Sequence, residues 1–272
     1  MSELLLPFLV EPDQLEQVLG VDSLLVVDVS EESAYVQHHV PGAVNLPYRA
    51  LIVANPPAMG LLPADGRLTE VFSYLGLTPD THVVAYDNEG NAKAGRLLWT
   101  LDAVGHSRRS LLNGGLHAWV NEGHPAEQAA NRPTSNAYTV TRNPDVIADK
   151  TFILDHLDAQ DVKVLDVRTA KEFAGHDVRA GRGGHIPGAV NLDWMLALDR
   201  DRNLRLKPEA ELREMLEAIG VTPDKEVIVH CQTHHRSAHT YAVLKALGYS
   251  RVRGYDGSWS DWGNDPDMPV ET

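Results

Sequence analysis

The sequence predicts an α/β protein with two similar domains, each a parallel sheet flanked by helices on both faces. Three observations predict this fold. The 272 residues exceed the usual size of one domain. Short apolar runs rich in β-branched residues alternate with amphipathic stretches, such as TEVFSYLGL at 69–77 and ELREMLEAIGV at 211–221, which is typical of βα units. The chain also contains an internal repeat.

The repeat has two parts. LLVVDVSEESAYVQHHVPGAVNLPY, at 24–48, matches VKVLDVRTAKEFAGHDVRAGRGGHIPGAVNLDW, at 162–194. Both contain an apolar strand ending in Asp-Val and a later His-(Val/Ile)-Pro-Gly-Ala-Val-Asn-Leu segment. The stretch that begins at His82 matches the stretch that begins at Glu226 with about the same separation. One structural unit has therefore been duplicated.

The elements follow in the same order in both copies. Strands are predicted at Leu24–Val27, His82–Ala85, Val162–Leu165 and Val227–Val229. Between the copies lies a polar, proline-containing and nearly aperiodic segment, which predicts a linker. We place the domains at 1–125 and 146–272, with the linker at 126–145.

Composition and charge exclude several classes of function. With 24 Lys and Arg against 38 Asp and Glu, the formal charge of −14 argues against nucleic-acid and anionic-membrane partners. The opening MSELLLPFLV has Glu3 before a short apolar run that Pro7 interrupts, so neither a signal peptide nor a membrane span is predicted. A single cysteine forms no intramolecular disulfide, and nothing indicates an oxidising compartment. We therefore predict a cytoplasmic protein.

The single cysteine lies in VIVHCQTHHRSAH, at 227–239. A buried-type strand precedes it and an amphipathic helix follows, so Cys231 should lie at the carboxyl edge of a parallel sheet beside a helix N-terminus. Backbone N–H groups, the helix dipole and the neighbouring Arg236 should lower the pKa of the thiol. A thiolate is a strong nucleophile, and we predict that Cys231 is catalytic.

The cysteine allows two other interpretations. Free cysteines are often small buried core residues, although five polar side chains follow this one. Cys231, His234, His235 and His239 could form a ligand set, but neither half contains a spaced cysteine pair. We predict no metal.

These motifs resemble the tandem-domain rhodanese family of thiosulfate:cyanide sulfurtransferases over nearly the whole chain. The resemblance rests on the paired Asp-Val and His-x-Pro-Gly-Ala-Val-Asn segments, the Asn/Asp-Gly-(Gly/Ser)-x-x-x-Trp endings at 113–119 and 256–262, and one cysteine loop. HCQTHHRS further resembles the loop of certain bacterial rhodaneses. The resemblance implies that Cys231 accepts sulfane sulfur as a covalent persulfide, without a cofactor, and passes it to cyanide, a thiol or a sulfur-accepting protein.

Loop length gives separate support for sulfur chemistry. Four residues separate Cys231 from Arg236, whereas phosphatases with a cysteine-centred phosphate cradle resemble one another in having five. A shorter ring of amides suits one sulfur better than a tetrahedral phosphoryl group. Arg236 could either neutralise an anionic donor or hold the loop through a carboxylate. The sequence leaves both roles open.

The first half of the chain serves as an internal control. Alignment of its second repeated stretch places Asp87 opposite Cys231, Tyr86 opposite His230 and Ala92 opposite Arg236. A carboxylate cannot carry a persulfide, so the first domain is predicted to be catalytically inactive.

Further residues are predicted around the nucleophile. The small anionic donor is expected to contact Gln232, Thr233, His234, His235, Arg236, Arg179 and Arg182. A supporting role behind the loop is expected for Asp166, Arg168, His230 and Trp194.

The loop departs from two known patterns of the resembled family. CQTHHR is neither the basic loop of animal thiosulfate enzymes nor the small loop of mercaptopyruvate enzymes, and Glu172-Phe173 stands where those families place an arginine before an aromatic residue. Thiosulfate is favoured over mercaptopyruvate as the donor. Two alternatives stay open: a cysteine-dependent phosphatase or arsenate reductase, and a non-catalytic sulfur-carrier or redox module.

Overall fold

The computed structural model describes residues 4–272 and divides into two compact units. The first contains the chain up to Leu51, Pro63–Asn143 and Asp199–Leu206, and the second contains Ile52–Leu62, Pro144–Leu198 and Lys207–Thr272. Each unit thus includes a short segment from the other half of the sequence. The contiguous boundaries predicted above do not anticipate this exchange, because hydrophobic periodicity carries no information on which core a short segment joins. The signal-peptide argument from Glu3 lies outside the described residues.

The first half of the sequence forms these elements in chain order: β1 (Leu9–Val10), α1 (Pro12–Glu16), β2 (Leu24–Asp28), α2 (Glu32–Tyr35), β3 (Val44–Asn45), a 3-10 turn (Tyr48–Leu51), β4 (Val53–Asn55), β5 (Ala58–Leu61), α3 (Asp65–Tyr74), β6 (His82–Tyr86), α4 (Ala92–Ala103), β7 (Arg109–Leu112) and α5 (Gly115–Asn121). Strands β1-β7-β6-β2-β3 form a parallel sheet in that order. Strands β4 and β5 form a separate antiparallel hairpin.

The second half forms these elements: a 3-10 turn (Pro144–Val146), β8 (Ile147–Ala148), α6 (Lys150–Asp155), β9 (Val162–Asp166), α7 (Ala170–Phe173), β10 (Val190–Asn191), a 3-10 turn (Trp194–Ala197), β11 (Leu198–Asp199), a 3-10 turn (Arg200–Arg202), β12 (Arg205–Leu206), α8 (Glu209–Glu217), β13 (Glu226–His230), α9 (Arg236–Ala246), β14 (Val252–Tyr255) and α10 (Ser258–Trp262). Strands β10-β9-β13-β14-β8 form a parallel sheet. No helix among residues 4–272 combines the length and apolar character needed to cross a membrane.

The predicted α/β class with two parallel sheets flanked by helices is confirmed. Both sheets have the same strand order and the same register: Asp28 lies opposite Tyr86 in the first, and Asp166 lies opposite His230 in the second. The predicted strand and helix around Cys231 are also present, as β13 and α9. Because β13 is the central strand, its carboxyl end places the cysteine loop in the middle of the sheet edge.

Each unit has its own apolar core beneath its sheet. The core of the first unit includes Val26, Val84 and Trp119, and that of the second includes Ile228 and Trp259. Strand β6 is buried at every residue and β13 at all but its first, as expected for parallel strands covered on both faces. The central strands are therefore rigid supports for the loops that follow them.

The predicted linker, 126–145, runs over the surface of the first unit for much of its length. The N–H of Asn136 donates to the Ser73 carbonyl at 2.9 Å, and the N–H of Tyr138 donates to the Ser73 hydroxyl at 3.0 Å. The N–H of Asn143 donates to the Ala103 carbonyl at 2.8 Å. Side-chain polarity made the segment look like a free linker, whereas its backbone groups find partners in the first unit.

Candidate active site

The cysteine loop, residues 231–235, has its backbone carbonyls held by α10. The N–H of Trp259 donates to the Cys231 carbonyl at 3.0 Å, and the N–H of Ser260 donates to the Gln232 carbonyl at 3.0 Å. The backbone N–H groups of Thr233 and Ser237 instead bond to the Cys231 sulfur. The loop carbonyls are thus held on one side, and the N–H groups are directed at the sulfur. This arrangement is the anion-binding nest that the sequence predicted.

Ser258, the first residue of α10, connects to the loop through its hydroxyl. Its Oγ accepts from the N–H of Cys231 at 3.3 Å and of His234 at 3.0 Å, and donates to the Tyr255 carbonyl at 2.7 Å. The backbone of Ser258 is left-handed, with φ +51°, whereas the equivalent residue of the first half is Gly115, with φ +55°. Only the hydroxyl explains a serine in a conformation that favours glycine. Sequence reasoning missed this residue, although the serine-for-glycine difference within the repeat was a visible signal.

The thiol of Cys231 is 1% exposed and has a perturbed pKa. Burial by itself would raise that pKa. The charge of Arg236, the Ser237 hydroxyl, which donates to Sγ at 3.4 Å, and the backbone N–H groups of Ser237 and Thr233 together outweigh this effect. The net result is a pKa below that of an ordinary thiol, in the predicted direction. Nδ1 of His234 lies 2.8 Å from the Ser237 Oγ and completes a short chain of contacts to the sulfur.

Arg236 makes a bidentate ion pair with Glu172. The two guanidinium nitrogens lie 2.7 and 2.8 Å from the two carboxylate oxygens, and the Glu172 side chain is 0% exposed. Burial opposes ionisation of Glu172, but the bonds from Arg236 and Thr169 outweigh it and lower its pKa to about 2. Of the two roles that the sequence left open for Arg236, the structure contains the contact that the second requires: a carboxylate holds the loop through the arginine.

Three buried residues lie behind the loop. Arg168 donates through Nε to both carboxylate oxygens of Asp166 at 3.0 Å and stacks over the Trp259 ring at 4.4 Å from its centroid. Nδ1 of His230 lies 3.3 Å from the Cys231 carbonyl, and its Nε2 lies 3.6 Å from Asp166. The structure therefore brings Asp166, Arg168 and His230 together beneath Cys231, in contact with each other rather than with solvent.

Comparison with known proteins identifies the family. The family model of the rhodanese-like domain matches residues 11–122 and again 150–265. This chain belongs to the rhodanese family. The predicted tandem resemblance is confirmed. This rhodanese is 44% identical to a thiosulfate sulfurtransferase of Pseudomonas aeruginosa over 98% of this chain and 97% of the relative, and 42% identical to one of Azotobacter vinelandii over the same shares. The predicted class of enzyme, a sulfurtransferase, is thereby confirmed.

Two further comparisons concern a curated relative and a solved structure with the same fold. A sulfur carrier protein of Thermus thermophilus, TtuD, is 32% identical over 96% of this chain and 95% of its own length. A crystal structure of an anaerobic ergothioneine biosynthesis enzyme from Chlorobium limicola, in complex with trimethyl histidine, superposes with a TM-score of 0.86 at 23% identity. It covers 97% of this chain and 70% of that one, and it shows the fold alone.

The first half of this rhodanese has an equivalent loop in which a carboxylate replaces the thiol. Asp87 Oδ1 accepts from the N–H groups of Glu89 and Asn91, both at 2.7 Å, and its Oδ2 accepts from the N–H of Ala94 at 2.9 Å. The first unit therefore keeps the nest, and the Asp87 carboxylate occupies it. The equivalent amides of the second unit are those of Thr233, His235 and Ala238.

The two arginines predicted from the long segment before His185 differ in their surroundings. Arg179 is 53% exposed, pairs with Asp177 at 2.8 Å, and its Nε lies 3.6 Å from Glu172. Its carbonyl accepts from the Gln232 side chain at 3.0 Å, so it borders the loop.

Arg182 instead donates to the carbonyls of Met268 at 2.7 Å, Trp262 at 3.2 Å and Asp265. These bonds hold the C-terminal segment. We therefore leave Arg182 out of the proposed donor site.

Trp194 contacts a buried histidine beside the loop. Its ring meets that of His239 edge-on, with centroids 5.3 Å apart, and neither ring nitrogen of His239 has a hydrogen-bond partner. Burial, with a smaller effect of His235, lowers the pKa of His239 to about 4.

In the range 4–272, three potential metal-ligand atoms lie within 4.8 Å of one another only in the group of Asp13, Glu16 and His124.

His239→Phe is expected to reduce the loss of stability in mild acid. Because the folded-state pKa of His239, about 4, lies below the ordinary 6.5, the unfolded chain binds the proton first, and folding is penalised as pH falls from about 6.5 to 4. The His239→Phe change should therefore raise the free energy of unfolding by about 2 kcal/mol more at pH 5 than at pH 7. Urea unfolding at both pH values measures this difference. The exposed His38, changed to Gln, serves as the control, and an equal change in both variants would contradict the assignment.

Proposed function

We propose that this rhodanese transfers sulfane sulfur from thiosulfate to cyanide or a thiol acceptor through a persulfide on Cys231. In the first half-reaction the thiolate attacks the outer sulfur of thiosulfate, an S–S bond forms, and the donor S–S bond breaks with its electron pair leaving on sulfite. In the second, the acceptor attacks the outer sulfur of the persulfide and the Cys231 thiolate is restored. Atoms and charge balance without a cofactor or metal.

The convergence of loop amides on Cys231 carries the proposal. Two N–H groups and the Ser237 hydroxyl bond to the sulfur, and Arg236 adds positive charge. Such a nest stabilises the attacking thiolate, and it equally stabilises the anionic persulfide that follows. The two states differ by one sulfur atom, so one cradle can serve both half-reactions.

The loop of the first unit gives an internal guide to where the outer sulfur would lie. An oxygen of Asp87 is two bonds from Cβ, as the outer sulfur of a Cys231 persulfide would be. The Asp87 oxygens accept three amide N–H bonds in that position. By equivalence, the amides of Thr233, His235 and Ala238 are the expected partners of the outer sulfur. With Asp87 in place of the nucleophile, we propose that the first unit has no catalytic activity.

The donor site is proposed at the open side of the loop. Gln232, Thr233 and His235 are partly exposed there, and Arg179 supplies an exposed positive charge. An anionic donor such as thiosulfate suits this charge. Two relatives above 40% identity that are named thiosulfate sulfurtransferase support the same donor.

Intact-mass measurement tests the proposal most directly. The protein is incubated with thiosulfate, its mass is recorded, and cyanide is then added; Cys231→Ala is treated in parallel. We expect a gain of one sulfur atom that cyanide removes and that the alanine variant never shows. No sulfur adduct with thiosulfate would overturn the proposal and direct attention to phosphate-ester hydrolysis and arsenate reduction by the same loop.

Turnover kinetics separate an enzyme from a carrier. The similarity to TtuD, named a sulfur carrier protein, makes this distinction concrete. A sulfurtransferase should show steady-state thiocyanate formation at a rate comparable to that of the first sulfur transfer. A rapid first transfer followed by slow turnover with cyanide and with small thiols would favour a carrier that needs a protein acceptor.

A further inference from the structure

Strand β5, which comes from the first half of the sequence, belongs to the second unit and lies against the cysteine loop. A Cβ atom on Gly60 would overlap the carbonyl oxygen of Thr233, so the two backbones are in direct contact. The N–H of Met59 donates to the Ser260 hydroxyl at 3.2 Å, and the N–H of Leu62 donates to Asp256 at 2.7 Å. A segment encoded more than 160 residues before the nucleophile thus touches its loop.

Two of these contacts, those to Thr233 and Ser260, fall on residues that form or hold the loop. The backbone N–H of Ser260 holds the Gln232 carbonyl at 3.0 Å. The Thr233 carbonyl belongs to the peptide whose N–H, on His234, donates to Ser258 at 3.0 Å. Three successive carbonyls, of residues 231–233, are therefore confined by α10 and β5. The Thr233 N–H, one of the two amides directed at the sulfur, shares its peptide with the Gln232 carbonyl, so this confinement fixes the direction of that amide.

The first unit contains a matching contact without a catalytic group. There the N–H of Leu206 donates to Asn113 at 2.9 Å, as that of Leu62 does to Asp256 in the second unit. A Cβ on Gly114 would lie 2.8 Å from the Asn203 carbonyl. Both units of the duplicated fold therefore contain a short segment from the other half of the sequence. Among the described residues, only the segment in the second unit contacts a loop that carries the proposed nucleophile.

We propose that β5 is a positioning element of the reaction and that Gly60 is its essential residue. Because Gly60 has no side chain, the backbone of β5 can approach and confine the Thr233 peptide. This confinement fixes the loop conformation in which its amide stabilises the Cys231 thiolate. The half of the chain that carries no nucleophile would then contribute to catalysis through this strand. This inference rests on the proposed function only in the measurement that uses thiosulfate as the donor.

Gly60→Ala in the full chain tests the proposal, with Gly66→Ala as the matched control. Within residues 4–272, no atom beyond the neighbouring residues and the backbone of its own helix lies within 4 Å of a Cβ added at Gly66. Two quantities are measured: the pH midpoint of Cys231 alkylation by iodoacetamide, and the rate of sulfur loading from thiosulfate. We expect the Gly60 variant to show a midpoint about one pH unit higher and loading about tenfold slower at pH 7, with the control unchanged. A merely structural role for Gly60 would lower the melting temperature without moving the alkylation midpoint.

A second variant covers the case in which Gly60→Ala fails to fold. Ser260→Ala removes the hydroxyl that accepts from Met59 but keeps the backbone N–H that holds the Gln232 carbonyl, and it adds no volume. A smaller shift of the alkylation midpoint in the same direction is expected. Midpoints equal to that of the unmodified protein in the folded variants would overturn the proposal. If the unmodified protein takes up no sulfur, the proposed function fails, while the alkylation midpoint still tests β5.

Discussion

Arg236→Gln is expected to slow sulfur loading of Cys231 by about a hundredfold and to destabilise the second unit by about 3–5 kcal/mol. Both effects have a structural cause. The charge of Arg236 lowers the pKa of the Cys231 thiol, and its guanidinium is bidentate to Glu172, whose side chain is 0% exposed. Without the arginine, a buried carboxylate loses its bidentate partner and keeps Arg179 at 3.6 Å, and the thiolate loses the positive charge that lowers its pKa. Urea unfolding and time-resolved intact mass measure the two effects.

Glu172→Gln separates the two roles of Arg236. This change also breaks the ion pair, so stability should fall, but it leaves the positive charge beside the sulfur, and the pKa of Cys231 should stay below that of an ordinary thiol. The double variant should regain part of the lost stability and none of the lost rate, because no uncompensated buried charge remains. Loading of Arg236→Gln at the unmodified rate would show that the arginine does not act on the thiolate.

The same pair has a definite pH signature. The folded-state pKa of Glu172, about 2, lies below the ordinary 4.5, so its stabilising contribution is present above about pH 4.5 and is lost as pH falls towards 2. The stability difference between the unmodified protein and Glu172→Gln should therefore narrow over this range.

Ser258 is expected to control the nucleophile through the loop backbone. Ser258→Gly removes the hydroxyl that accepts from Cys231 and His234, yet suits the left-handed φ of +51°. Ser258→Ala removes the same hydroxyl and keeps a Cβ in that conformation. Both variants should raise the pH midpoint of Cys231 alkylation and slow sulfur loading by about tenfold or more, because two buried N–H groups lose their acceptor.

The two Ser258 variants differ in their expected stability. Alanine should be less stable than glycine by about 1 kcal/mol, since only alanine keeps the strain of the left-handed backbone. The exposed Ser250, changed to Ala, is the matched control and should leave alkylation and loading unchanged. Wild-type alkylation behaviour in Ser258→Gly would mean that the hydroxyl does not orient the loop.

Local pattern was sufficient to predict the parts of this protein that depend on neighbours in sequence. Alternation of apolar strands with amphipathic helices predicted two parallel sheets, and the repeat predicted their equivalence. A lone cysteine between a buried strand and a helix predicted a nucleophile site at the sheet edge with a lowered thiol pKa. Strand, turn and helix dipole are local features, and the structure agrees with the sheets, the position of Cys231 and the direction of its pKa shift, while its role as nucleophile stays a proposal.

Contacts between residues distant in sequence were decided only by the tertiary structure. The pairing of Arg236 with Glu172 provides the contact that one of its two predicted roles requires, and Arg182 is directed to backbone carbonyls although the sequence marked it as a donor ligand. Ser258 and Gly60 reach the loop because α10 and β5 pack against it. Periodicity identifies which face of an element is buried, but it does not say which other element covers that face. The proposed nucleophile could therefore be located from sequence, whereas the groups that contact its loop could be found only from the packed structure.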